Sequence, residues 1–159
     1  MFELSLPYLV GRIIPESLFF VWAFYMLSQT MMKIKRYLLS AIIGVVVICG
    51  VKFLPIDFGV HTLISITGYI ITNVLINKIS IVKSILVTLG VTIVEFICEI
   101  IDLFIIQNIL HGNTEYIFSN SNLKILYEAP SFLFFIILVF VLRFFINKVS
   151  SNSKFKFLD

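Results

Sequence analysis

The sequence predicts an all-α, polytopic membrane bundle of about five transmembrane helices, with the N-terminus outside and the C-terminus cytoplasmic. Three observations predict it. Apolar residues make up 60% of the 159-residue chain and charged residues 13%, against about 45–50% and about 25% in soluble domains. Mean hydropathy is +1.08, and the apolar residues fall in continuous runs near the roughly 20 residues that a bilayer crossing requires. Lys and Arg gather between alternate runs. A soluble core of this size cannot hide so much apolar surface, so lipid must cover the remainder.

The first span is expected from about Leu6 to Ser28, interrupted by Pro7, Gly11, Arg12, Pro15 and Glu16. It has an acid and no Lys or Arg before Arg12, and it ends in Tyr-Met-Leu-Ser-Gln-Thr without a small-residue cleavage pattern. It therefore reads as a retained helix rather than a secretory signal. The second span runs from about Tyr37 to Leu54 and the third from Phe58 to Ile76. The fourth, from about Ile81 to Leu110, is longer than a straight crossing needs, so it must tilt, project or break near Gly90. Residues 111–130 read as the one long polar loop, and the fifth span as Ser131 to Ile146. The runs do not alternate as barrel strands do. Residues 1–147 form one transmembrane domain, and 148–159 a short basic tail.

Orientation follows from the loops. Lys33, Lys35, Arg36, Lys78, Lys83, Lys148, Lys154 and Lys156 lie on one side, against Lys52 and Lys124 on the other. The Lys-rich side is the cytoplasmic one. The net charge of +3 is small for a nucleic-acid binder, and no basic stripe interleaves with stacking aromatics. No nucleic-acid partner is expected. Cys49 and Cys98 sit inside apolar runs with no CxxC or Cys/His cluster, so neither a metal nor a cofactor is implied; both read as packing residues.

Polar residues within spans carry the functional reading, because charges in a bilayer usually face a bundle interior or a cavity. Arg12 and Glu16 are four apart on one helical face and can pair; Pro7 and Pro15 beside them can kink the backbone and free carbonyls. Interfacial snorkelling of Arg12 is the bland alternative. Glu95, Glu99 and Asp102 line up on one face of the fourth span, as an ion or ligand site or as a structural polar network with Arg12 or Lys52. His61, four residues after Asp57, lies at the outer start of the third span, where it can donate to a ligand or simply serve the helix end. The candidate ligand-binding set is thus Arg12, Glu16, His61, Glu95, Glu99 and Asp102. A Cys98–His61 dyad is the weak catalytic reading. Glu95-Phe-Ile-Cys-Glu99 lacks the adjacent Glu pair and Arg of intramembrane prenyl-protein-type proteases, and no phosphate-binding Gly loop or Ser/His/Asp set occurs.

The stretch Leu54-Pro55-Ile56-Asp57-Phe58-Gly59-Val60-His61-Thr62 and the later Asn77-Lys78-Ile79 resemble the N-terminal multi-helix membrane regions of clostridial sensor kinases of the AgrC/VirS type, which respond to quorum-sensing peptides. The Ile/Phe/Asn/Lys-rich composition is similar to that of a low-GC Firmicute. The resemblance implies a cell-membrane sensor that receives an extracellular peptide in its outer loops and helices. It covers about residues 1–147 in pattern, and nine residues carry its specificity. The chain ends about a dozen residues after the fifth span, without the dimerisation helix, phosphoacceptor His or ATP-binding domain of those kinases. Signalling by this chain therefore implies a protein partner or a homo-oligomer. A small-solute or ion transport component and an assembly subunit are the two other functions the composition allows.

Overall fold

A computed structural model describes residues 6–52, 58–109, 117 and 120–152. Among these residues all regular structure is helical. An α-turn, Leu6–Tyr8, runs into a π-helical turn, Leu9–Ile13, and then into helix α1, Ile14–Ser28. The wide turn has a local cause. Pro15 has no N–H to give the carbonyl of Gly11, and its ring crowds that carbonyl; Ile14 N–H accordingly reaches back five residues to Leu9 O, the π spacing. The predicted kink of the first span is therefore a π-turn. α1 ends where Gln29 takes a left-handed conformation, φ 55°.

Helix α2 spans Ile34–Lys52, α3 Phe58–Leu75 and α4 Ile81–Phe104, each a run dominated by Ile, Val and Leu. α4 continues through Gly90 without a break and passes into a second π-turn, Ile105–Ile109. Helix α5 covers Ser121–Asn152, with Pro130 inside it. The stretch from Ser121 to Pro130, expected as loop, is thus the first part of the last helix. Among the described residues, three helical stretches are long and apolar enough to cross a membrane: Leu6–Ser28, Ile34–Val51 and Asn122–Lys148.

α1 is the central helix. It packs against α2, α4 and α5, while α3 lies between α2 and α4. Of the three long apolar stretches, the first is 44% buried against 22% and 17% for the others, so α1 carries the core and the others wrap it. Its Phe20 and Phe24 meet Tyr69 of α3, ring centroids 5.6 and 5.3 Å apart, and Phe20 meets Phe135 of α5 at 5.2 Å. Val91, Cys98 and Val139 close this core without exposed surface. Small residues allow the close approach that membrane helices need: Gly44 of α2 faces Ser17 and Tyr69, and Gly68 of α3 faces Val47. Outward faces are apolar throughout, with Ile42 and Val46 on α2, Leu86 and Ile93 on α4, and Ile137 and Phe144 on α5 all exposed.

The two ends of the bundle are held differently. At one end, Asn77 Oδ1 accepts from Tyr25 Oη and Ser40 Oγ, each at 2.7 Å, and Asn77 Nδ2 donates to Asn73 Oδ1 at 2.8 Å. Asn73 Nδ2 then donates to Thr88 Oγ1 at 3.2 Å. This neutral chain ties α1, α2, α3 and α4 together, and Asn73, Asn77, Ser40 and Thr88 are all buried. Arg143 of α5 joins the same end by donating to Met26 O at 2.6 Å. The other end is held by charge.

Candidate functional site

The charged end is built from the entry segment, α1, α4 and α5. The π-turn swings Arg12 inward, where it is only 8% exposed. Its Nε lies 3.1 Å from Glu16 Oε2 and 3.7 Å from Glu128 Oε2, and its Nη1 donates to Glu128 O at 3.0 Å. The guanidinium also stacks over the Phe132 ring, 5.3 Å from its centroid, a favourable cation–π position. Tyr8 Oη donates to Glu128 Oε2 at 3.2 Å, and Lys124 Nζ lies 3.8 Å from Glu128 Oε1 and 4.5 Å above the Tyr8 ring. Ser131 Oγ donates to the same Glu128 carbonyl at 2.8 Å. Glu128 is therefore the hub.

From α4, Glu95 brings its carboxyl group to the same cleft as that of Glu16. Two carboxyl groups can hydrogen-bond each other only when one of them carries a proton, since a carboxylate only accepts. Glu99, one turn further, faces Arg12 and Lys124 across the cluster. A small cleft is lined by Arg12, Glu16, Glu95, Glu99, Ser131 and the Phe132–Phe135 face, with Cys98 at its floor, and it has room for about one water molecule. Four glutamates thus surround two cations, Arg12 and Lys124. The arrangement can offer carboxylates to an incoming cationic group.

The sequence-predicted residues divide cleanly. Arg12, Glu16, Glu95 and Glu99 converge on the cleft. Asp102 lies on the same inward side of α4, 5% exposed, with Arg12 the cation that reaches it; it does not line the cleft. His61 does not line it either, whereas Cys98 does, and His61 Nδ1 is buried with no hydrogen-bond partner among the described residues. Asp57, the expected partner of His61, and the side chain of Lys52 lie outside the described residues. Sequence reasoning missed Glu128, Tyr8 and Lys124 as site residues. The spacing of four between Lys124 and Glu128 was the signal for a helical pair, hidden by reading 111–130 as a loop.

No family model, curated protein or solved structure matches the chain.

Proposed function

We propose that the chain is a five-span cell-membrane protein, N-terminus outside, that senses an extracellular peptide or small ligand at the Arg12–Glu16–Glu95–Glu99 site and signals through a partner. The 18 residues of α3 and the 24 of α4 would reach about 27 and 36 Å at 1.5 Å per residue, near the roughly 30 Å hydrocarbon thickness. With the three long apolar stretches they make five crossings, and the Lys-rich end faces the cytoplasm.

One observation carries the sensing reading. The entry segment is fastened to α5 by ionic contacts on Glu128, whereas the opposite end is tied by a neutral hydrogen-bond chain. A ligand that competes for Glu128 or Arg12 would free the first segment from the last helix and leave the rest of the bundle intact. Such a ligand shifts the equilibrium only by its preference for the open arrangement. Transport fits less well. A cleft of one-water size would have to connect through the end where Asn73, Asn77, Tyr25, Ser40 and Thr88 satisfy one another. The AgrC/VirS resemblance points to the same ligand class, an extracellular peptide.

Two measurements test this. Thermal stability of the purified protein should rise with a peptide ligand and not with vitamins or metal cations, and Glu99→Gln should remove that rise. Stabilisation by a vitamin or cation alone would favour transport, and no response to any peptide would sink the sensing reading. Topology is tested separately with single cysteines in a Cys49→Ser/Cys98→Ala background. A thiol at Lys78 should be reached by impermeant reagent only from the cytoplasmic side, and one at Asn122 only from outside.

A further inference from the structure

The described charges are segregated along the bundle. All five described acids, Glu16, Glu95, Glu99, Asp102 and Glu128, lie toward the end marked by the Arg12 cluster. At the other end stand Lys33, Lys35, Arg36, Lys78, Lys83 and Lys148, with no described acid among them. The hydrogen bonds of the neutral chain fix their common location. Tyr25 near the end of α1 and Ser40 near the start of α2 both bond Asn77, which directly precedes Lys78. Arg143, one and a half turns before Lys148, bonds Met26 near the end of α1, and Arg36 lies within electrostatic reach of Tyr25.

None of the six cations has an ion-pair partner among the described residues. Lys33, Lys35, Lys78 and Lys148 are exposed, and Arg36 and Lys83 partly so. Around Lys33 and Lys35 the exposed side chains are apolar: Met31 is 89% exposed, Met32 46% and Ile34 66%. Exposed Met and Ile interleaved with Lys suit a headgroup boundary, where apolar groups enter the acyl region and the cations stay among phosphates. The buried neutral chain beneath holds the two turns of this rim in fixed relation and the Arg143–Met26 bond holds the end of α5 to them, so the cations form a platform rather than a mobile tail.

We propose that this rim, Lys33, Lys35, Arg36, Lys78, Lys83 and Lys148, binds the headgroups of anionic phospholipids in the leaflet it faces. The inference uses the membrane reading of the helices and does not depend on a ligand at the Arg12 site. Basic residues next to an anionic surface each contribute enough to change binding by about fivefold, and the effect falls with ionic strength.

The test is native mass spectrometry and thermal unfolding of the full chain, purified in neutral detergent with equimolar phosphatidylglycerol and phosphatidylcholine. The wild type should retain phosphatidylglycerol in clear preference and gain stability from it, with the gain shrinking at high salt. Lys33→Gln/Lys35→Gln/Arg36→Gln should lower the preference by at least about fivefold while its stability in phosphatidylcholine alone stays that of the wild type. Lys78→Gln/Lys83→Gln should do the same from the neighbouring turn, and Glu99→Gln should leave lipid preference unchanged even if it abolishes ligand response. Equal retention of the two lipids by the wild type overturns the proposal, as does full preference in both rim variants. Equal stabilisation by soluble glycerol phosphate or by an acidic peptide also overturns it, since the rim would then bind phosphate or protein rather than the bilayer.

Discussion

Arg12 grips Glu128 twice across 116 residues of chain, donating to its main-chain carbonyl at 3.0 Å and standing 3.7 Å from its carboxylate. The pair joins the first helical segment to the last. Pro15 opens the π-turn that carries Arg12 inward. The Glu128 carbonyl accepts from both Arg12 and Ser131, and Pro130, two residues on, withholds its N–H from Leu126. A buried charge left wholly unpaired costs about 3–5 kcal/mol, but here Arg12 keeps Glu16 and the residue-128 carbonyl, and Glu128 keeps Lys124 and Tyr8, so each loss falls below that. Glu128→Ala should therefore lower the thermal midpoint, and Arg12→Gln more, since Arg12 serves both Glu16 and Glu128. The double variant should lose less than the sum, because each single change already removes the guanidinium–carboxylate contact. Additive losses in that cycle would mean the pair is not coupled. Arg12→Lys should recover little, since an ammonium cannot satisfy a carbonyl and two carboxylates as a guanidinium fork does.

The neutral end answers to different substitutions. Asn77→Ala removes the acceptor of Tyr25 and Ser40 and the donor to Asn73 in one step. Buried groups left unsatisfied cost about 1–3 kcal/mol each, so this single truncation should destabilise the bundle at least as much as Glu128→Ala. Asn108, whose Nδ2 merely donates to Phe104 O at an exposed site, should tolerate Ala with little change. Thermal unfolding in detergent compares the two, and equal effects would show that the chain through Asn77 is dispensable.

Much of the fold was legible because long apolar runs leave few alternatives to helix. The runs at 58–76 and 81–110 match α3 and α4 with its π-turn closely. The start of α5 was not legible. Asn122, Lys124, Glu128 and Pro130 read as loop because they are polar or break helices, yet the stretch is helical, with Glu128 held by Tyr8 and Arg12 of the entry segment and by Lys124 one turn back. Hydropathy sees no partners. For the same reason the face shared by Glu95, Glu99 and Asp102 was readable from spacing alone, but only packing separates the two that line the cleft from Asp102. The Asn77 chain left no signal, since isolated Asn, Ser and Thr at helix ends look like ordinary turn residues.

The Glu16–Glu95 contact makes a prediction that spacing could not. Gln is isosteric with a protonated Glu and can donate from its amide, so Glu95→Gln should keep the bond to Glu16 and hold the wild-type thermal midpoint. Glu95→Ala should lower it, because Glu16 then loses its partner on α4. If Gln and Ala prove equally damaging, the shared proton is not what joins α1 to α4.

Helix approach at the small residues gives the last prediction. A methyl on Gly44 would fall on Ser17 Oγ and within 3.1 Å of the Tyr69 ring, whereas one on Gly90 meets nothing within 4 Å. Ser17 cannot simply turn away, as its hydroxyl donates to Ala41 O at 2.8 Å and the residue is fully buried. Gly44→Ala should therefore destabilise by about 1–3 kcal/mol through overpacking. Gly90→Ala should be neutral or slightly stabilising, since it removes only the helix penalty of glycine, about 1 kcal/mol. Pairing Gly44→Ala with Ser17→Ala makes the space that the methyl needs, so the double variant should recover part of the loss. Thermal midpoints of the four proteins decide it: no recovery in the double variant would place the strain at Tyr69 instead of Ser17.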